Sequence, residues 1–209
     1  MIHDLSIMLN EQTLPFLPAG DPHMVWTHRA DHAFAPCQVS LAVLVTHLGT
    51  HVDAPLHFIP GGKTTAQMDL ACYCGQAACI AAEGFPREGV YDLAQDLEKN
   101  ASLVAGADIL IVSTGYEKLV GTPEYFRSPD FGENTGALLE DLGIRGIGID
   151  APTIGQQNRA HQEILGRDIG IIESLVNLGP LVGRRFYFSA VPLKFEDGDG
   201  SPVRAYAVT

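Results

Sequence analysis

The chain is short of positive charge. Thirteen lysines and arginines stand against 25 aspartates and glutamates, a net charge of −12 at pH 7. Nucleic acids and anionic membrane surfaces bind through basic patches, so neither is an expected partner. Long apolar runs are missing as well, and no stretch has the roughly 20 residues that a bilayer-spanning helix needs. The opening Met1-Ile2-His3-Asp4-Leu5 lacks a basic segment ahead of an apolar one. No secretory leader is therefore expected, and the expected location is the cytoplasm. Cysteine is scarce: Cys37, Cys72, Cys74 and Cys79 do not follow the two-plus-two spacing of a zinc knuckle. Disulfides are not expected in a reducing compartment, and three of the four thiols lie in an apolar stretch where they pack as small hydrophobes. Disorder is excluded by composition, with 46% hydrophobic and only 18% charged residues. At 209 residues the expectation is one domain, spanning residues 1–209.

The chain carries no internal repeat. Up to about Ala35 it is rich in proline and histidine (Pro15, Pro18, Pro22, His23, His28, His32) and reads as strand pieces and loops. Cys37 to Val52 is apolar and β-branched, which predicts a strand, and Gln76 to Ala82 predicts another. Ala107 to Thr114 and Gly146 to Asp150 are continuous apolar runs of the kind buried on both faces of a sheet. Helical spacing is found over Thr135 to Leu142 with Asn134 or Thr135 as cap, and helices are also expected over Asn158 to Leu165 and over Glu173 to Leu178. Phe186 to Leu193 and Val203 to Val208 alternate like strands, with a turn over Glu196 to Ser201. Strands alternating with helices predict a compact α/β domain with a mixed β-sheet.

One segment stands apart: Thr46-His47-Leu48-Gly49-Thr50-His51-Val52-Asp53-Ala54-Pro55-Leu56-His57-Phe58. His47, Gly49, His51, Asp53, Pro55 and His57 share one parity and would line one face of an extended chain. A helical zinc pair, His47 with His51, is disfavoured by Gly49, Thr50, Val52 and Pro55. The extended form has its own difficulty. Residues four apart in a strand are separated by roughly 13 Å, whereas two imidazoles bind one ion at about 2 Å each. The chain must bend, and Gly49 is the natural place. Pro55 would end strand pairing and steer His57 away. A lone buried histidine is ordinarily a hydrogen-bonded core residue. Several polar groups on one face of an apolar strand are harder to explain that way, since each costs kilocalories to bury without a partner. A metal ion supplies a partner to all of them. His161 and Glu173 are weaker signals, and by composition they read as a surface histidine and a helix-start acid.

The pattern His47-x-Gly49-Thr50-His51-x-Asp53-x-Pro55-x-His57 resembles the signature of the cyclase family of metal-dependent hydrolases. That family includes bacterial kynurenine formamidase and isatin hydrolase. Asp4-Leu5-Ser6, Gly148-Ile149-Asp150, the spacing of twelve from His161 to Glu173, Pro192-Leu193 and Pro202-Val203-Arg204 extend the resemblance over nearly the whole chain. It implies a fold of the swivelling β/β/α type, usually paired as a homodimer. It implies a first ion held by His47, His51 and Asp53, and a second held by Asp53, His161 and Glu173, with His57 as catalytic acid/base. Aromatic residues near the N-terminus line the substrate site in the formamidase, which makes Trp26, Phe16 and Phe34 candidates here. Two divalent ions are expected, zinc first and manganese second, since imidazole and carboxylate ligands suit both. The implied activity is hydrolysis of a small-molecule amide, N-formyl-L-kynurenine. A cyclic amide or lactone, or metal-dependent binding of a small molecule without turnover, are the alternatives.

Overall fold

The computed structural model describes residues 1–10, 13 and 24–209. Phe16, Pro15, Pro18, Pro22 and His23 lie outside the described residues. Strands are β1 (Ile2–Asp4), β2 (Met24–Ala30), β3 (Val39–Leu44), β4 (His51–Asp53), β5 (Cys74–Ala81), β6 (Val90–Tyr91), β7 (Ile109–Ser113), β8 (Asp130–Phe131), β9 (Gly146–Ile149), β10 (Gly170–Glu173), β11 (Arg185–Ser189), β12 (Gly200–Pro202) and β13 (Tyr206–Val208). Helices are α1 (Ala94–Lys99), α2 (Ala101–Val104), α3 (Thr135–Asp141) and α4 (Asn158–Leu165). Nine strands form one mixed sheet in the order β1-β13-β11-β5-β7-β9-β10-β4-β12.

The centre of that sheet is parallel: β5 pairs with β7, β7 with β9, and β9 with β10. Their sequences are unbroken apolar runs because both faces are covered. Ile80, Leu110, Val112, Ile147, Ile149 and Ile171 pack against Leu97, Leu139, Ile164 and Leu165 of the helices. Alternate residues, Cys79, Ile109, Ile111 and Ile172, pack on the other side against Leu5, Tyr73, Leu178, Phe186 and Phe188. Each such fully buried side chain contributes about 1.5–3 kcal/mol. The parallel strands follow one another in a single direction across the sheet. Right-handed crossovers therefore put α1 to α4 on the same face. No helix among the described residues is long and apolar enough to cross a membrane.

The expected α/β architecture with a mixed sheet is observed, but some elements differ from expectation. The single strand expected over Cys37 to Val52 is two. β3 stops at Leu44, turns occupy residues 46–50, and β4 starts at His51. Gly49 has φ +62°, and an added Cβ would meet Leu9 Cδ2 at 2.5 Å, so the bend is built around glycine. β3 pairs only with β2, as a hairpin apart from the main sheet. The helix expected over Glu173 to Leu178 is absent. Glu173 closes β10, and Ser174 and Asn177 adopt left-handed φ of 59° and 62°. Three amides there bond across the fold instead: Ser174 to Ala151, Leu175 to Ile149, Val176 to Leu5. Helices α1 and α2, six and four residues long, are too short to leave a sequence period. The four cysteines are free thiols, as expected.

Candidate metal centre

Sheet register assembles most of the cluster. β4 lies between β10 and β12, antiparallel to both. His51 is directly opposite Glu173, and Asp53 is opposite both Ile171 and Gly200. Opposed residues share a face, so the side chains of His51, Asp53 and Glu173 project together on the helix-covered side. Glu173 ends a parallel strand, the usual place for a ligand site in an open α/β sheet. Helix α4 joins β9 to β10 and packs through Ala160, Ile164 and Leu165, which carries His161 to 2% exposure above the same strands. His47 arrives from the turn before β4. His57 closes the 3-10 turn Pro55–His57, where the proline ends β4 pairing as expected.

The distances are short. His47 Nδ1 is 2.9 Å from Asp53 Oδ1. His51 Nε2 is 3.5 Å from both Asp53 Oδ1 and Glu173 Oε2. His161 Nε2 is 3.3 Å from Glu173 Oε1 and 3.7 Å from Asp53 Oδ2. His51 Nδ1 donates to the Gly49 carbonyl at 2.8 Å, so its Nε2 keeps a lone pair turned to the carboxylates. Glu173 Oε1 accepts the Ile154 amide at 2.6 Å, and the Asp53 carbonyl accepts the Tyr73 hydroxyl at 2.8 Å. The structure thus brings together all five residues His47, His51, Asp53, His161 and Glu173. His57 is stacked on His47 with ring centroids 3.8 Å apart.

These residues form two overlapping groups that could each hold a metal ion: His47, His51 and Asp53, and Asp53, His161 and Glu173. One buried atom shows that the cluster fits such ions. Asp53 Oδ2 has no hydrogen-bond partner, and a buried carboxylate oxygen left unpaired is costly. The protonation pattern points the same way. Burial opposes an imidazolium at His47, yet hydrogen bonds to Asp199 and Asp53 win and raise its pKa to about 10. Burial likewise opposes the Asp53 carboxylate, and His47 nonetheless holds it well below the usual carboxylate range. Without metal, a proton on His47 occupies the place a cation would take. Burial pushes the His57 imidazole down, which favours its neutral form.

Asp199 was not anticipated from the sequence. It sits in the Glu196–Ser201 segment, where a glycine-flanked acid reads as a turn, and nothing in its spacing ties it to histidines far upstream. Oδ2 is 3.0 Å from His47 Nε2, and the His47 hydrogen bond holds the carboxyl well below its ordinary range. Trp26 and Phe34 are not at the cluster. Trp26 lies on the β2–β3 hairpin, 49% exposed, and Phe34 is 73% exposed in the hairpin's connection. The sequence placed these aromatics near a substrate only by resemblance, and no local pattern specifies which surface a hairpin meets.

A cavity of about 480 Å³ opens beside the cluster, within the range of small-molecule sites. His47 and His51 form part of its wall, with Met8, Val120, Tyr125, Phe126, Pro152 and Val176 giving it an apolar lining. Ser6, Asn10, Thr13 and Ser174 add polar atoms. Trp26 and His57 are not among the lining residues, and His57, stacked on His47, is 29% exposed.

A buried imidazole–carboxylate cluster near one edge of an open α/β sheet, with an apolar cavity beside it, suits a metal-dependent enzyme acting on a small molecule. A family model described as Putative cyclase matches residues 3–156, and the chain belongs to that family. A kynurenine formamidase of Bacillus mycoides is 32% identical over 206 residues, covering 97% of this chain and 94% of that protein. A protein of Methanocaldococcus jannaschii described as uncharacterized is 33% identical over 210 residues, covering 98% of this chain and all of its own length. Isatin hydrolase A from Labrenzia aggregata, solved with benzyl benzoate, superposes with a TM-score of 0.84 over 99% of this chain and 93% of that one, at 22% identity. A second isatin hydrolase, bound to the product analogue thioisatinate, gives 0.83 over 100% and 92%, also at 22% identity. At that identity the likeness establishes the fold, and the named relatives of the chain are hydrolases.

Proposed function

We propose that this chain, folded as one domain over residues 1–209, hydrolyses an amide bond with two divalent metal ions, and that its substrate is N-formyl-L-kynurenine, cleaved to kynurenine and formate. The observation that carries the reading is the Asp53 carboxylate, shared by two ligand groups and left with an unpartnered buried oxygen. The choice of substrate is supported by the formamidase relatives, 31–32% identical over 97% of the chain.

His47, His51 and Asp53 would hold one ion; Asp53, His161 and Glu173 would hold the other. Zinc is the first choice and manganese the second. When bound, such ions supply Lewis acidity, acidifying water and polarising an amide carbonyl. The chain's own groups do the rest. The Gly49 carbonyl fixes the His51 tautomer, and the Ile154 amide holds Glu173 in place. The apolar cavity wall takes up the aromatic part of the substrate and excludes water from it. His57, kept neutral by burial, takes a proton from the attacking water at Nε2 and returns it to the departing nitrogen. No serine or cysteine nucleophile is required.

The working form is a homodimer. On the β2–β3 hairpin Val25, Trp26, Val39, Leu41 and Val43 are all at least 36% exposed. A two-stranded hairpin is marginally stable in water by itself, and a second copy would cover the face that Val25, Leu41 and Val43 share, with Trp26 on the other face. Val43→Asp is expected to shift the mass measured by light scattering from dimer to monomer; a wild type that is already monomeric refutes this part.

The function is tested by counting metals per chain by elemental analysis and assaying N-formylkynurenine beside isatin and simple lactones. Two metals with turnover of the formamide are expected. Metal-free protein that still hydrolyses substrate refutes the mechanism. Two metals with turnover of isatin or a lactone alone keep the site and replace the substrate.

A further inference from the structure

Asp199 holds no ion in the two-metal arrangement, yet its carboxylate meets both imidazoles at the edge of the cluster. Oδ2 lies 3.0 Å from His47 Nε2 and 3.5 Å from His57 Nδ1. The two rings are nearly parallel, 24° between planes and 3.8 Å between centroids, so one oxygen can serve an edge of each. Oδ1 accepts from the Thr46 hydroxyl at 3.0 Å. The Asp199 carbonyl accepts the Ala54 amide at 2.9 Å, and the next residue, Gly200, pairs with Asp53. The carboxylate is therefore tied to the strand that carries Asp53. A Cβ at Gly200 would meet His47 Cε1 at 2.5 Å, so glycine there admits the ring to this position.

We propose that Asp199 is a positioning residue that sets the tautomers of two imidazoles: it accepts Nε2–H from His47, leaving the Nδ1 lone pair for a cation beside Asp53, and Nδ1–H from His57, leaving the Nε2 lone pair for the reacting atoms. This rests on the metal-dependent hydrolase reading. A neutral imidazole carries one N–H and one lone pair, and the hydrogen bond at one nitrogen decides which atom carries which. His47, His57 and Asp199 also lie close enough to form a third ligand group. An ion there would need a lone pair on His47 Nε2 while another ion uses the one on Nδ1. A neutral imidazole cannot supply both, so the carboxylate orients the rings.

Asp199→Asn discriminates. The new amide oxygen can keep the Thr46 hydrogen bond. The amide nitrogen would take the place of Oδ2 and donate, which forces both imidazoles to accept there and reverses their tautomers. In zinc-loaded protein labelled with ¹⁵N-histidine, the wild type is expected to show Nε2–H at His47 and Nδ1–H at His57, and the variant to lose that pattern. Zinc affinity, read by competition with a chromophoric chelator, is expected to fall about 10–100-fold. At saturating zinc, kcat should stay depressed while KM hardly moves. Thr46→Val frees the carboxylate to turn and should move all three readouts the same way by less; it serves if the first variant does not fold. Unchanged tautomers and affinity, or three tightly held ions per wild-type chain, overturn the inference. A wild type that holds no metal overturns instead the reading on which it rests, and elemental analysis shows this before any variant is made.

Discussion

Stripping metal from the protein should lower its melting temperature, and the size of the drop should count the ions. Asp53, Glu173 and Asp199 place three carboxylates in one cluster. The raised pKa of His47 keeps a proton on that ring near neutral pH, between the carboxylates of Asp53 and Asp199. Asp53 and Glu173 are at most 3% exposed, where solvent screens their charge poorly. An ion bound only by the folded state adds stability that grows by about 1.4 kcal/mol for each tenfold rise in free metal above its Kd. For a chain of this size each kcal/mol moves the melting temperature by about 2–4 °C. One ion should thus give a slope of about 3–6 °C per decade of free zinc, and two ions about twice that. The measurement is calorimetric melting of chelator-treated protein in metal buffers of stepped free zinc. Asp53→Asn is the control, because Asp53 alone belongs to both ligand groups and the amide keeps its size and the acceptor facing His47. The variant should melt at one temperature across the series. A wild type with no slope, or a variant that keeps the wild-type slope, refutes the assignment of Asp53 as the shared ligand.

Glu173→Gln should keep the Ile154 hydrogen bond and weaken only the second ligand group, so elemental analysis should fall from two tightly held ions per chain to one. His57→Ala should keep the metal-dependent melting shift and lose turnover by about 10²–10⁴-fold, the usual worth of a general acid–base group; unchanged steady-state kinetics would remove His57 from the mechanism. The raised pKa of His47 also sets a pH dependence. A group whose folded pKa lies above its unfolded value stabilises fully below the unfolded value and loses that contribution as pH rises through the folded one. The metal-free protein should therefore lose stability from about pH 6.5 to about pH 10 on this account, while zinc affinity rises over the same window because the metal displaces the His47 proton. Thermal melts of chelated protein across that range check it, and a Tm rising with pH between those values would contradict it.

The sequence by itself determined what is local. Four ligand-type side chains lie between His47 and His57, and they form part of one cluster, with His51 and Asp53 on β4 and His47 and His57 on the turns to either side. Gly49 had to be the bend, because no other residue in that segment adopts a left-handed φ without strain, and it has φ +62°. The buried parallel strands at Ala107 to Thr114 and Gly146 to Asp150 were legible because strands covered on both faces carry unbroken apolar runs. Helix α3 was legible from its spacing. The tertiary structure decided what depends on contacts between distant segments. Glu173 faces His51 only because β10 and β4 pair in one register, and the period of two means that a one-residue slip would have turned it away. Its own neighbours, an apolar run before and Ser174 after, suit a helix start as well as a strand end. Asp199 met His47 and His57 through the pairing of Gly200 with Asp53, which no local pattern in a glycine-rich turn encodes. Side-chain chemistry is written residue by residue, whereas the register that brings two segments together is a property of the whole sheet.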